Sequence, residues 1–189
     1  MKRKLLVIDC ETGGLDPQMH SILSFAAVVV NAGAIEDMMH LLIAEPEIIA
    51  EPEALRVNGL SVEQLKVAGV TPAQAVWALE NMLRQHDMRG RVTLAGCNVA
   101  FDVGFMKRLY RLANGDFSGR FSRRTLDVQT GALLLEQAGR ISLPGGSASL
   151  DSLCDHFGVP LDRGAGHSAL EDAEATAQVL HKMLILLNP

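Results

Sequence analysis

Basic residues are in short supply: Lys and Arg number 17 against 22 Asp and Glu, a formal net charge of −5 at pH 7. Bulk charge therefore gives no sign of a nucleic-acid partner. Such a partner would need basic residues gathered on one face, or acids that hold cations and invert the local field. Aromatic residues are few. Trp77 lies inside an apolar helical pattern and Tyr110 is the only tyrosine, so no aromatic stacking platform is evident. Cysteine is limited to Cys10, Cys97 and Cys154, an odd count without a close pair. Neither a disulfide framework nor a zinc knuckle is suggested, and a reducing, cytoplasmic compartment is the simplest expectation.

Long hydrophobic runs are also missing. Met1-Lys2-Arg3-Lys4 resembles the basic start of a signal peptide, yet the apolar stretch 5–8 stops at Asp9. The stretch 179–187 is interrupted by His181 and Lys182 and falls far short of a membrane span. No repeat, low-complexity tract or linker stands out. The 189 residues are 48 % hydrophobic and 21 % charged, ordinary for a soluble globular protein. One domain over 1–189 with a substantial core, and no membrane partner, is the expectation.

Strands come first in the pattern. The continuous apolar run 5–8 suits a strand buried on both faces, and Gly13-Gly14 then turns the chain. Residues 22–30 and 40–44 read as second and third strands of a meander, with 45–53 a loop. Ser61 with Gln64, Thr71 with Gln74 and Ser168 with Glu171 match the capping box that opens a helix, and Pro72 sits where a first-turn proline is tolerated. A fourth strand is expected at 92–97, a helix at 99–112, a short strand at 125–128 leading into a helix, and a short helix at 150–157. In the last helix Leu170, Ala173, Ala177, Leu180 and Leu184 form one apolar stripe. A meander followed by alternating strands and helices implies an α/β mixed sheet flanked by helices.

Three segments carry groups fit for chemistry. Asp9 and Glu11 end the first strand and, two residues apart, point to one face, with Cys10 on the other. Adjacent carboxylates repel unless a cation lies between them, and a hard divalent ion with oxygen ligands meets that need. Asp-x-Glu alone is a weak pattern; Asp172-Ala173-Glu174 repeats it, and a turn or solvated strand end would explain either copy. The context is more telling, because Asp9 and Glu11 interrupt an apolar strand where uncompensated acids are costly. Thr12-Gly13-Gly14-Leu15 follows, glycines that allow close backbone approach or simply a tight turn. The second segment is Asn98-Val99-Ala100-Phe101-Asp102, where Asp102 also suits plain support of a helix start. The third is His167 with Asp172, a loop histidine and a helix-start aspartate.

In order, Asp9-x-Glu11-Thr12, Asn98-x-x-Phe101-Asp102 and His167-x-x-x-x-Asp172 resemble the motifs of the DEDDh branch of the 3′–5′ exonucleases. That family includes bacterial polymerase proofreading subunits and ribonuclease T-like enzymes. The resemblance spans 5 to about 180 and implies a ribonuclease H-like fold with a five-stranded mixed sheet. It implies that Asp9, Glu11, Asp102 and Asp172 hold two Mg²⁺ or Mn²⁺ ions, one activating a water and one stabilising the departing 3′ oxygen. His167 would be the general base, an imidazole suited to taking a proton near neutral pH. Thr12, Gly13 and Gly14 would meet the terminal sugar, Leu15 would wedge against the last bases, and Asn58 would line the same pocket unless it is a plain turn. Asn98 belongs to this substrate-contacting set, as does Phe101 if it stacks on a base rather than packing beneath Asp102. Two departures from the family pattern, Cys97 before Asn98 and Asn58 in place of a histidine, bear on substrate preference more than on catalysis.

Lys107, Arg108 and Arg111, and Arg120, Arg123 and Arg124 near Phe117 and Phe121, are candidates to follow a phosphate backbone, or else form ordinary solvated surfaces. The expected substrate is a single-stranded 3′ end of DNA or RNA, with nucleoside 5′-monophosphate as product. A catalytically silent binding module and a phosphohydrolase of free nucleotides are the alternatives. With no appended tail after the third motif, an independent enzyme or isolated domain is expected, leaving a homodimer or polymerase association open.

Overall fold

The apolar run after Lys4 forms the centre of the sheet. In the computed structural model, which describes residues 4–164 and 166–187, β1 (Leu5–Thr12) pairs antiparallel with β2 (Ile22–Asn31), and β2 pairs antiparallel with β3 (Ala34–Leu42). Met1, Lys2 and Arg3 of the basic N-terminal run lie outside the described residues. On the other side of β1, β4 (Thr93–Gly96) and then β5 (Leu126–Asp127) join in parallel, giving the order β3-β2-β1-β4-β5. This is the five-stranded mixed sheet expected of the ribonuclease H-like class.

Because side chains alternate along β1, its residues feed two cores. Leu6, Ile8 and Cys10 join Phe25, Ala27 and Val29 against α3 (Pro72–Gln85) and α4 (Val99–Leu112). Val7 joins Ala26, Val28 and Val30 against α6 (Val128–Gln137), α7 (Leu150–Phe157) and α8 (Ala169–Leu186). Asp9 and Glu11 follow Val7 in that alternation. They emerge on the α8 side, past the edge of the core. Ala173 and Ala177 in the stripe of α8 are small enough to bring this helix close to the sheet, and both are buried with Leu180.

The sequence pattern and the structure part company in several places. β3 begins at Ala34, well before residue 40, because it is an edge strand with half its residues exposed, and Glu36 and Asp37 hide its signal. The expected loop runs into α1 (Pro52–Asn58), a helix that buries no residue and so shows no apolar stripe. α2 (Val62–Ala68) starts at Ser61 as expected, and the Thr71 capping box is fully formed. Ser168 makes no side-chain cap, so the third box is not realised. The short helix α5 (Phe117–Arg120) occupies what reads as a basic loop. Its Phe117 and the following Phe121 pack edge-on to Tyr110, with centroids 5.8 and 5.4 Å away. Among the described residues, no helix is long and apolar enough to cross a membrane.

Candidate active site

Acidic groups from opposite ends of the chain meet where β1 ends. Asp9 and Glu11 leave β1 toward α8, and Asp172 projects from the first turn of that helix. One carboxylate oxygen from each of the three lies within 4.8 Å of the others. Asp102 reaches the same region from the first turn of α4, on the opposite side of the sheet, and is buried.

Crowding and burial act together on these acids. Burial first, then repulsion by Asp102, Asp172 and Glu11, raises the Asp9 carboxyl well above the usual carboxylate range. Burial, with Asp172 adding to it, pushes Glu11 up to about 7. Burial likewise pushes Asp102 up to about 8, while donors on its own backbone and on the Cys10 thiol and backbone hold it down. A site that keeps several carboxylates from ionising comfortably is one that a hard divalent cation would stabilise. The oxygen-only donor set and its spacing fit Mg²⁺ or Mn²⁺.

Cys10 takes the face that the alternation gives it. It does point away from Asp9, into the other core, but that core contains α4, and its thiol is directed at Asp102. The face opposite the Asp9–Glu11 pair is not remote from the site.

Arg163 is a charged group at the acidic cluster that sequence reading passed over. Its Nη1 donates to Asp172 Oδ1, and its Nε donates to Asp151 Oδ1 at 2.9 Å. The guanidinium lowers the proton affinity of both Asp9 and Glu11, a positive charge set among acids. The signal available in the sequence was that Arg163 is the lone Lys or Arg between residues 141 and 181, four positions before His167.

His167 lies beside Asp172, with Nδ1 3.5 Å from Asp172 Oδ2, and its side chain is 44 % exposed. Its loop is not free-hanging. The His167 backbone N–H donates to Val57 O at 3.2 Å, at the end of α1. Gly166 before it has φ +99°, and a Cβ there would come within 2.8 Å of that same carbonyl, so glycine is required.

Next to this centre is a cleft of about 320 Å³ lined by Thr12, Gly14, Leu15, Glu51, Glu53, Ala54, Val57 and Asn58. Asn58 Nδ2 donates to Thr12 O at 3.1 Å, and Thr12 Oγ1 donates to Gly14 O at 2.8 Å. Leu15 stands 83 % exposed at the rim. Gly13 lies behind, where a Cβ would meet Ile49 O at 2.3 Å, so only glycine lets the two walls approach. Thr12, Gly14, Leu15 and Asn58 thus share one cleft. Asn98 and Phe101 do not line it: Asn98 is exposed at the start of α4 with φ +56°, and Phe101 packs on Phe105 with centroids 5.1 Å apart. Asp127, not Asn98, accepts the first backbone N–H of α4, from Val99 at 2.8 Å.

The basic groups divide into those held in ion pairs and those left exposed. Arg108 is buried in an ion pair with Glu45, and Arg120 pairs with Glu80 at 2.8 Å and donates to the carbonyls of Met88 and Gly90. Both guanidiniums are engaged within the fold and do not offer open phosphate contacts. Lys107, Arg111, Arg123 and Arg124 are exposed.

The model of the family described as Exonuclease matches residues 6–180. The chain belongs to this exonuclease family. The DNA polymerase III subunit epsilon of Pasteurella multocida is 30 % identical over 186 residues, an alignment that takes in 92 % of this chain and 65 % of that protein. The chain therefore spans just under two thirds of that relative's length. Among solved structures, E. coli exonuclease I in complex with a dT13 oligonucleotide superposes with a TM-score of 0.76 at 18 % identity, over 95 % of this chain and 40 % of that one. The nuclease domain of 3′hExo, a DEDDh family member bound to rAMP, gives 0.77 at 18 % identity over 96 % and 92 % of the two chains. At such identity the structures establish the shared ribonuclease H-like fold.

Proposed function

We propose that this exonuclease domain is a 3′–5′ exonuclease of the DEDDh type, releasing nucleoside 5′-monophosphates from single-stranded 3′ ends of DNA or RNA. The observation that carries the reading is the meeting of Asp9, Glu11 and Asp172 oxygens within 4.8 Å beside His167 and Asp102. Those four carboxylates are the residues that would hold two divalent ions, Mg²⁺ or Mn²⁺. When bound, such ions supply Lewis-acid charge to the phosphate, the attacking water and the departing oxygen.

The side chains divide the remaining work. His167, exposed at the mouth of the acidic cluster, takes the proton of the water that attacks phosphorus. The new P–O bond forms as the bond to the 3′ oxygen of the penultimate nucleotide breaks; that oxygen takes a proton from solvent and leaves as a hydroxyl, and the imidazolium returns its proton to solvent. Asp172 orients the imidazole from below. The cleft between Gly14 and Asn58 receives the terminal nucleoside, with backbone groups facing the sugar and Leu15 against the last base. Two solved structures of the same fold were obtained with a dT13 oligonucleotide and with rAMP, which supports a nucleic-acid end as the ligand class.

The test uses 5′-labelled single-stranded DNA and RNA with Mg²⁺ or Mn²⁺. A ladder shortened from the 3′ end is expected, absent in Asp9→Ala and lowered about 10²–10⁴-fold in His167→Ala. Undiminished trimming in Asp9→Ala or in excess chelator overturns the reading, and hydrolysis confined to free nucleotides replaces it with a different phosphohydrolase.

A further inference from the structure

One buried ion pair lies between the two chain segments that lead into the walls of the cleft and is not used by the chemistry above. The side chains of Arg108 and Glu45 are 10 % and 1 % exposed. Arg108 Nε donates to Glu45 Oε1 at 2.9 Å and Nη2 to Oε2 at 2.7 Å, the two-pronged geometry in which arginine is strongest. Its other terminal nitrogen, Nη1, donates to the carbonyls of Pro17 and Gln18, each at 3.2 Å. Glu45 in turn accepts from the Ile22 backbone N–H at 3.1 Å and from Ser21 Oγ at 2.9 Å.

These contacts bind three segments. The connection from β1 to β2 carries Gly14 and Leu15, one wall of the cleft. The loop after β3 leads from Glu45 to Glu51 and α1, the other wall. Arg108 itself sits on α4, which carries Asp102. The walls also meet directly, through Ser21 N–H to Ile49 O at 2.9 Å and Glu51 N–H to Gly13 O at 2.7 Å. A buried ion pair is a poor source of stability compared with well-packed apolar residues, because both charges lose their water. What it provides is fixed geometry between groups that apolar packing would leave free to slide.

We infer that Glu45 and Arg108 are positioning residues of the terminal-nucleotide cleft, setting the spacing of its two walls and tying both to the helix of Asp102. This rests on the cleft being the nucleotide site.

The experiment compares Glu45→Gln, Arg108→Lys and Arg108→Met with the wild type. Four quantities are read: KM and kcat on a single-stranded DNA, binding of thymidine 5′-monophosphate in the presence of Mn²⁺, affinity for Mn²⁺ alone, and melting temperature. Expected is a KM and a thymidine 5′-monophosphate Kd each raised roughly tenfold, the scale of one lost charge-assisted contact. kcat should stay within about twofold, the pattern of lost uniform binding, and Mn²⁺ affinity should not change. Arg108→Lys should recover part of the effect, since an ammonium reaches the carboxylate but not the carbonyls as well. Glu45→Gln keeps the shape and carries the test if Arg108→Met does not fold. Variants that melt earlier yet keep wild-type KM and nucleotide affinity overturn the inference. A wild type that trims strands but binds no thymidine 5′-monophosphate overturns the identity of the cleft instead.

Discussion

Arg163 and His167 share one carboxylate: the guanidinium donates to Asp172 Oδ1, and the imidazole lies 3.5 Å from Asp172 Oδ2. Asp172 therefore joins the acidic cluster to the loop that carries His167. The same contact makes Arg163 a counter-charge for a cluster that is otherwise acidic throughout.

That role separates metal-free from metal-loaded protein. Arg163→Met leaves Asp9, Glu11 and Asp172 without their positive neighbour, so in EDTA at neutral pH it should destabilise the fold. The expected loss is about 1–2 kcal/mol, reduced from a fully buried pair because Arg163 is partly solvated. With saturating Mn²⁺ the gap to wild type should narrow. Thermal melting under both conditions reads this, and an equal loss in both contradicts it.

The raised carboxyls set a pH dependence with a definite sign. Glu11 titrates at about 7 and Asp102 at about 8 in the folded protein, above their values in an unfolded chain. Between those values the folded state binds more protons than the unfolded state, so stability falls as pH rises. The contribution is fully present below the ordinary carboxylate range and is lost as pH climbs through 7 and 8. Denaturant melts in EDTA should show falling stability across this window, and Mn²⁺ should flatten the curve. Metal addition at pH 7 in weak buffer should also release protons. Metal-free stability that climbs over the same window contradicts the burial of these acids.

Cys10 offers a finer probe. Its thiol is directed at Asp102, so Cys10→Ser, which keeps a donor, should hold Mn²⁺ affinity within about twofold of wild type. Cys10→Ala removes the donor, leaves the Asp102 carboxyl with higher proton affinity, and should weaken Mn²⁺ by several-fold at pH 7. Paramagnetic resonance of free Mn²⁺ measures both. Equal affinities in all three proteins would show that Cys10 plays no part in the site.

Much of this architecture is legible in the sequence, for physical reasons that differ by element. β1 and β4 are buried on both faces and read as apolar runs, and α3 and α4 keep clear caps or stripes. The period-two rule put Asp9 and Glu11 on one face, and it also put Cys10 on the other. What it could not say is that α4 delivers Asp102 from that other face. β3 and α1 are partly solvated and leave weak patterns. Ser168 fits a capping box in sequence, but its side chain goes unused in space. The ion pairs of Arg108 with Glu45 and of Arg163 with Asp172 join residues whose partnership exists only once helices and loops have packed. No local pattern marks which arginines will be buried.

The most direct measurement is anomalous diffraction from crystals soaked in Mn²⁺. Expected are anomalous peaks at the end of β1, within ligand distance (about 2.1–2.2 Å) of carboxylate oxygens of Asp9 and Asp172. Glu11 and Asp102 should complete the shell, with Arg163 moved off Asp172. Crystals whose only Mn²⁺ lies elsewhere, with the guanidinium still seated on Asp172, would contradict a metal-holding centre in this protein.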